Sequence, residues 1–80
     1  MEKQEIFEHL KNFLITEFEK DPTVIELDKE LTEIGMDSLD AFDFFTMINE
    51  HYGIDLDQKD LLELKTVNDV VELILEKTKS

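Results

Sequence analysis

The sequence predicts an all-α protein: a small four-helix bundle with three longer helices, one short third helix and a long loop between helices 1 and 2. Apolar residues recur at spacings of three and four in separate segments, which is the period of an amphipathic helix. Helix-capping residues stand before three of these segments, at Asp37, Asp57 and Thr66. With 80 residues, 41% of them hydrophobic, the chain is expected to form one domain over residues 1–80.

The first predicted helix runs from Lys3 to about Glu19. Its apolar side chains form one stripe, made of Ile6, Leu10, Phe13, Leu14 and Phe18 and broadened by Phe7. Asp21–Pro22 ends the helix, because the residue before a proline is pushed out of helical geometry. His9 is expected to be a partly exposed surface residue, since no neighbour in sequence completes a metal or catalytic set with it.

A long connection, Thr23–Ile34, is predicted to follow. Long loops in compact domains are usually functional or tied down by their own side chains. The side chains available to anchor this one are Val24, Ile25, Leu27, Leu31 and Ile34, and Glu30–Glu33 could form a short helical turn. The loop leads directly to the segment around which the rest of the chain is organised.

That segment, Gly35–Asp40, marks the start of the second predicted helix, which runs from Ser38 to about His51. Asp37 is the expected N-cap, because its carboxylate can accept from backbone N–H groups that have no partner inside the helix. Asp40 places a second acid in the positively polarised first turn. Ser38 is therefore expected at a helix N-terminus, beside donors and a dipole that favour an anion such as a phosphate.

The second helix is predicted to have two different faces. At about 100° per residue, one arc holds the side chains that should be buried: Ala41, Phe44, Phe45, Ile48 and Tyr52. The other side carries Leu39, Phe42, Asp43, Thr46 and Glu50. Exposed apolar side chains beside carboxylates are typical of a docking surface, on which the acids steer a basic partner. The alternative for Phe42 is that it folds back onto the core.

Capping residues also predict where the second helix ends and where the last two helices begin. Gly53 is the expected left-handed C-cap of the second helix. Asp57, with Asp60 three residues later, predicts a short third helix through about Leu64, held by Leu61, Leu62 and Leu64. Thr66 and Asp69 form a second capping box, and the last helix is predicted to bury Val67, Val70, Val71 and Ile74.

The charge of the chain restricts its partners. Twenty-one acidic residues stand against eight lysines and no arginine, so the formal net charge is −13. This charge disfavours nucleic acid and anionic membranes, because both require basic patches. Residues 30–58 hold eight acids and no lysine, which predicts a partner with a basic surface; a merely solvated acidic face is the alternative.

The composition also restricts the cellular location of the protein and the reactions that its own side chains can perform. The chain has no cysteine, which excludes a disulfide framework, a cysteine metal site and intrinsic thiol chemistry. Any thiol that it uses must therefore arrive on a cofactor. The N-terminal residues lack the pattern of a secretion signal, and no apolar run reaches membrane-spanning length. We expect a cytoplasmic monomer without stable membrane association.

Catalysis by the chain itself is not expected. A hydrolase triad needs a histidine within hydrogen-bond reach of Ser38, but His51 lies about 20 Å further along the same helix, at a rise of about 1.5 Å per residue. No Gly-x-Ser-x-Gly motif is present. A calcium-binding EF-hand that starts at Asp55 fails, because Lys59 stands where an oxygen ligand is required. We therefore predict no catalytic residue and no dedicated metal site.

The segment Gly35-Met36-Asp37-Ser38-Leu39-Asp40 resembles the attachment signature of the acyl carrier proteins, and the frame of helices around it covers nearly the whole chain. The resemblance implies that Ser38 carries a covalent 4′-phosphopantetheine arm, with Asp37 and Leu39 completing the signature. It also implies a partner-recognition face on the second helix. The residues of that face are Leu39, Asp40, Phe42, Asp43, Thr46 and Glu50.

The same resemblance implies a non-catalytic carrier that is the substrate of a phosphopantetheinyl transferase. It would hold acyl intermediates as thioesters and deliver them to fatty-acid, polyketide or related biosynthetic enzymes with basic docking patches. Two alternatives stay open: an aminoacyl or peptidyl carrier, and an unmodified acidic adaptor with Leu39 and Phe42 as its hot spot. Met36, Phe44 and Phe45 depart from the fatty-acid type, and the two phenylalanines are expected to narrow the acyl cavity.

Overall fold

The computed structural model describes residues 2–78, apart from the side chain of Gln58, and within that range the chain forms four α-helices. They are α1 (Lys3–Thr16), α2 (Ser38–Tyr52), α3 (Gln58–Glu63) and α4 (Val67–Thr78). The three longer helices have 14, 15 and 12 residues, and α3 has six. The predicted small four-helix bundle with a short third helix is confirmed. None of the described helices combines the length and the apolar character that crossing a bilayer requires.

One cluster of apolar side chains forms the core between the helices. Most of the residues predicted to be buried lie in it, and the loop before α2 adds further ones, but Ala41 and Tyr52 are only partly buried against it. The members from the helices are Ile6, Leu10, Leu14, Phe44, Phe45, Ile48, Val67, Val70, Val71 and Ile74. Each such side chain contributes about 1.5–3 kcal/mol by leaving water. No polar or charged residue is buried in the described part of the chain, so this core rests on apolar contacts.

The first helix ends earlier than its apolar stripe predicts, at Thr16 rather than Glu19. Glu19 takes a left-handed conformation, with φ of 55°, although it is not a glycine. The N–H of Lys20 then donates to the carbonyl of Leu14, six positions earlier, at 2.9 Å, which is one residue longer than the pairing of a Schellman C-cap. The chain therefore reverses direction before Pro22, and a short 3-10 turn follows.

The long loop is tied to the start of α4 by backbone hydrogen bonds that the sequence pattern does not predict. The N–H of Leu31 donates to the carbonyl of Lys65 at 2.9 Å, and the N–H of Val67 donates to the carbonyl of Lys29 at 3.0 Å. Ile25, Leu31 and Ile34 are buried, as expected of anchors. The loop is consequently held in two ways. Its apolar side chains pack into the core, and Glu30 pairs with Thr66 in a short antiparallel bridge.

The capping boxes of α3 and α4 are present as predicted. The Asp57 carboxylate accepts from the N–H of Asp60 at 2.9 Å, and the Asp60 carboxylate accepts from the N–H of Asp57 at 3.2 Å. Thr66 and Asp69 exchange the equivalent pair at the start of α4, both at 3.1 Å. These caps satisfy backbone donors that the helices leave unpaired, which explains how a helix of only six residues is retained.

The expectation that Leu62 holds α3 against the core is wrong. Its side chain is 80% exposed, whereas Leu61 and Leu64 are partly buried against the core. The reason is geometric, because consecutive residues of a helix are about 100° apart and one turn presents only one side to the bundle. Leu62 therefore lies on the solvent side of α3.

The Asp69 cap predicts a specific loss of stability in acid. Backbone N–H groups of Thr66 and Lys65 donate to its carboxylate and lower the pKa of Asp69 from its ordinary value of 3.8. A group whose folded pKa is depressed stabilises the fold above its unfolded pKa, and that contribution disappears as pH falls through the folded value. Asp69→Asn should therefore lower the melting temperature at pH 6.5, and the gap from wild type should shrink below pH 3.8. A gap that stays constant over this range contradicts the assignment.

Candidate functional site

Ser38 is the first residue of α2, and its side chain is exposed. Asp37 caps the helix from an extended conformation, and its carboxylate oxygen Oδ1 accepts from the N–H of Asp40 at 2.8 Å. The Asp37 carbonyl accepts the next N–H, that of Ala41, at 2.9 Å. The backbone N–H groups of Ser38 and Leu39 donate to no acceptor within residues 2–78. Two amide donors thus stand beside the hydroxyl, at the end of a helix that favours negative charge.

Buried anchors immediately before the serine hold it at the surface. Gly35 has φ of 94°, a left-handed conformation that glycine adopts without strain. Met36 is only 4% exposed, and its N–H donates to the carbonyl of Leu31 at 3.0 Å. Met36, which departs from the fatty-acid pattern, is therefore the side chain that fixes the segment to the core. The following residues then turn outward into solvent.

An open pocket of about 550 Å³ lies beside Ser38, between α2, α3 and the long loop. Its apolar lining consists of Leu31, Met36, Ala41, Phe45, Leu61 and Leu64. Its polar lining consists of Glu30, Thr32, Asp37, Ser38 and Lys65. Of the two phenylalanines expected to narrow such a cavity, Phe45 lines it, whereas Phe44 is buried against Phe18 with the ring centres 6.0 Å apart. The pocket combines an apolar interior with the candidate attachment residue.

The outer side of α2 is an acidic surface with two exposed apolar side chains. Leu39 is 77% exposed and Phe42 is 63% exposed, so Phe42 does not fold back onto the core. Asp43, Thr46 and Glu50 are exposed on the same helix. We call these five residues the α2 face. Large apolar side chains beside acids suit a partner that offers an apolar hollow with a basic rim.

Asp40 differs from the rest of the predicted recognition set. Its carboxylate is half-buried and lies 3.5 Å from the ammonium of Lys20. Sequence reasoning missed this pair, because twenty residues separate its members and no local pattern relates them. The predicted recognition residues of α2 consequently include fewer free carboxylates than the sequence alone suggests.

The two histidines lie together at the other end of α2, away from Ser38. The ring centres of His9 and His51 are 5.4 Å apart, and Nδ1 of His9 is 3.1 Å from the Tyr52 hydroxyl. Burial raises the pKa of Tyr52, so its phenol stays protonated and able to donate. Phe13 stacks edge-on against His51. This aromatic cluster joins α1 to α2, and it places no proton acceptor beside the serine hydroxyl.

Removal of the Asp37 carboxylate should destabilise the site's framework. Asp37→Ala leaves the N–H of Asp40 without its acceptor, and loss of an N-cap of this kind costs about 1 kcal/mol. Urea denaturation followed by circular dichroism should show this decrease in the free energy of unfolding. Asp55→Ala is the matched control, since Asp55 is an exposed loop acid outside the hydrogen bonds described for residues 2–78. Equal destabilisation by both substitutions contradicts the capping role.

Comparison with known proteins adds independent evidence. A family model described as "Phosphopantetheine attachment site" matches residues 8–74 of the chain. An acyl carrier protein homolog of Mycoplasmopsis pulmonis is 34% identical over 71 residues, covering 88% of this chain and 97% of that protein. An acyl carrier protein of Coprothermobacter proteolyticus is 32% identical over 75 residues and covers 92% of each chain.

The fold is also that of a solved structure. A crystal structure of an acyl carrier protein from Thermotoga maritima superposes with a TM-score of 0.87, covering 96% of this chain and 91% of that one. The two sequences are only 17% identical, so this likeness concerns the arrangement of the helices. The matched family segment includes the whole of α2 and the loop that leads to it.

Proposed function

The chain belongs to the acyl carrier protein family, whose model is the phosphopantetheine attachment site, and we propose that Ser38 is the residue to which the arm is attached. The observation that carries this proposal is the exposed Ser38 hydroxyl at the start of α2, next to two amide N–H groups without protein acceptors in the described chain. A phosphodiester formed there would meet these donors and the positive end of the helix. Asp37 and Leu39 complete the site, as cap and as neighbour on the first turn.

A separate phosphopantetheinyl transferase makes the attachment. The Ser38 oxygen forms a new bond to the phosphorus that bears pantetheine in coenzyme A, and the pyrophosphate bond breaks with departure of adenosine 3′,5′-bisphosphate. The serine proton passes to a base of the transferase, since neither histidine of this chain lies at that end of α2. The arm, once bound, supplies the thiol on which acyl groups are carried as thioesters. The chain's own part is to present the hydroxyl and to bind partners.

Acyl cargo is favoured over aminoacyl or peptidyl cargo by the pocket beside Ser38, because its lining is largely apolar and a hydrocarbon chain gains free energy by leaving water. The receiving enzymes are fatty-acid, polyketide or related biosynthetic enzymes with basic patches that meet the α2 face. The proposal includes a single carrier domain over residues 1–80, working as a monomer. It also includes a cytoplasmic location, alongside the coenzyme A that supplies the arm.

Intact-mass measurement tests the proposed function. Wild-type protein produced without its arm is incubated with coenzyme A, magnesium and a broad-specificity phosphopantetheinyl transferase. The expected result is a mass gain of one phosphopantetheine, followed by a further gain when an acyl group is loaded and its release by neutral hydroxylamine. A chain that gains no mass, while a known carrier in the same mixture is converted, contradicts the proposal and supports the unmodified adaptor.

The pocket predicts an effect of cargo length on stability. Phe45→Leu shortens a side chain that lines the pocket, so a long acyl chain should raise the melting temperature more in this variant than in wild type. Phe44→Leu removes similar volume from a buried position that does not line the pocket, and it should leave the dependence on chain length unchanged. Thermal denaturation of each protein, loaded with a four-carbon or a twelve-carbon acyl group, measures how the melting temperature depends on chain length. The same length dependence in all three proteins contradicts the role given to Phe45.

A further inference from the structure

One lysine from the turn that follows α1, Lys20, contacts the attachment segment on both sides of Ser38. Nζ of Lys20 donates to the carbonyl oxygen of Gly35 at 2.8 Å, and it lies 3.5 Å from Oδ2 of Asp40. Gly35 precedes the serine by three residues, and Asp40 follows it by two. A single ammonium group therefore joins the last loop residues before the site to the first turn of α2.

The backbone at the end of α1 directs Lys20 toward this position. The left-handed Glu19 and the hydrogen bond from the N–H of Lys20 to the carbonyl of Leu14 reverse the chain there. The Lys20 side chain is only 19% exposed, against 43% and 39% for the lysines of the other two ion pairs in residues 2–78. Reduced exposure weakens the screening of the Lys20 charge by water, compared with the same contact on the open surface.

Loss of the ammonium would leave two acceptors with only water as a partner, in the part of the chain that has acids and no lysine. The Gly35 carbonyl and the Asp40 carboxylate would both lose their cation, and residues 30–58 contain no lysine that could replace it. Asp37 and Asp40 also lie close together on the first turn, where one carboxylate repels the other. Lys20 reduces this repulsion at the place where a further negative group would be added.

We propose that Lys20 is a positioning residue for modification of the chain: it holds Gly35 and Asp40 in place, and with them the Ser38 hydroxyl, for the transferase. The inference rests on the proposed attachment at Ser38. Lys20 acts through Gly35 and Asp40, to which its described contacts are made, and not on the reacting atoms. Its role differs from that of Asp37, which caps the helix from within the segment.

Amide hydrogen exchange on the unmodified protein tests the structural half of this proposal. Lys20→Met keeps the length and the apolar stem of the side chain but removes the ammonium. The hydrogen-bonded amides of Gly35, Met36 and Asp40 should then exchange about tenfold faster, the factor expected from loss of one charge-assisted hydrogen bond. Exchange at Val71 in α4 should be unchanged. Lys11→Met is the matched control, because Lys11 lies on α1 outside the ion pairs described for residues 2–78.

Kinetics of modification test the functional half. At a temperature well below unfolding, kcat/KM for transfer from coenzyme A should fall about tenfold in Lys20→Met, remain at the wild-type value in Lys11→Met, and recover largely in Lys20→Arg. Asp40→Asn should have a smaller effect, since it leaves the 2.8 Å contact with the Gly35 carbonyl intact. A purely structural role would lower the melting temperature without this change in kcat/KM.

The outcomes separate this inference from the proposed function. Unchanged exchange in Lys20→Met, or faster exchange with an unchanged modification rate, overturns the positioning role while the attachment of the arm to wild type still stands. A wild-type chain that is never modified refutes the proposed function itself, and the positioning role with it. Faster amide exchange together with slower transfer of the arm in Lys20→Met, with both values restored in Lys20→Arg, supports the positioning role of Lys20.

Discussion

Ser38→Ala is expected to abolish phosphopantetheinylation completely, which is the largest effect predicted for any single substitution in this chain. The substitution removes the oxygen that would form the bond to phosphorus, and no other exposed hydroxyl in the described chain begins an α-helix of eight residues or more. The fold should persist, because Ser38 is exposed and its side chain makes no hydrogen bond within residues 2–78. Exposed substitutions of this kind change the free energy of unfolding by about 0.5 kcal/mol or less.

Intact mass and thermal denaturation together check this expectation. Thr16→Ala is the matched control, since it removes an exposed hydroxyl from α1, outside the α2 face and the pocket, and should still be modified in full. A Ser38→Ala protein that is folded and still gains the mass of the arm would place the attachment elsewhere. A Ser38→Ala protein that is unfolded would contradict the structural description of the site.

Truncation of the two exposed apolar residues of the α2 face should produce the second-largest effect, on delivery to partners. Leu39 and Phe42 stand among acids on α2, the arrangement in which a central apolar contact contributes most of the binding free energy. If each is a hot spot, its change to Ala costs about 2 kcal/mol of binding, or about thirtyfold in affinity. The KM of the armed protein with an enzyme that loads acyl groups onto carrier thiols should rise accordingly.

Leu62→Ala provides the control for this measurement. Leu62 is equally exposed but lies on α3, outside the α2 face, so its loss should leave KM near the wild-type value. All three variants should keep the wild-type melting temperature, because the side chains that they remove already face water. If Leu62→Ala raises KM while Phe42→Ala does not, the partner surface lies on α3 and the proposed face is incorrect.

Local signals in the sequence were sufficient to predict the four helices and the position of Ser38 at the start of α2. Asp37 and Asp57 predict the starts of α2 and α3 because a cap depends only on residues three positions apart. The end of α1 was less predictable, since Glu19 takes a left-handed turn that usually requires glycine or asparagine. Leu62 shows a second limit, because a helix of six residues is too short for its apolar spacing to indicate one face.

Contacts between distant segments could not be read from spacing. The bridge between the long loop and the start of α4, the Lys20–Asp40 pair and the aromatic cluster around His51 each join residues fifteen or more positions apart. The pocket beside Ser38 likewise needs three segments at once. Its apolar members appear in the sequence only as ordinary core residues, and their common position beside the serine arises from tertiary packing.

Fragmentation mass spectrometry of the protein isolated from its native host tests the central claim most directly. The account predicts a phosphopantetheine on the peptide that contains Ser38, localised by fragmentation to the serine oxygen and carrying an acyl group in thioester linkage. An arm found on a different residue, or a native protein whose Ser38 is unmodified in every copy, would contradict it.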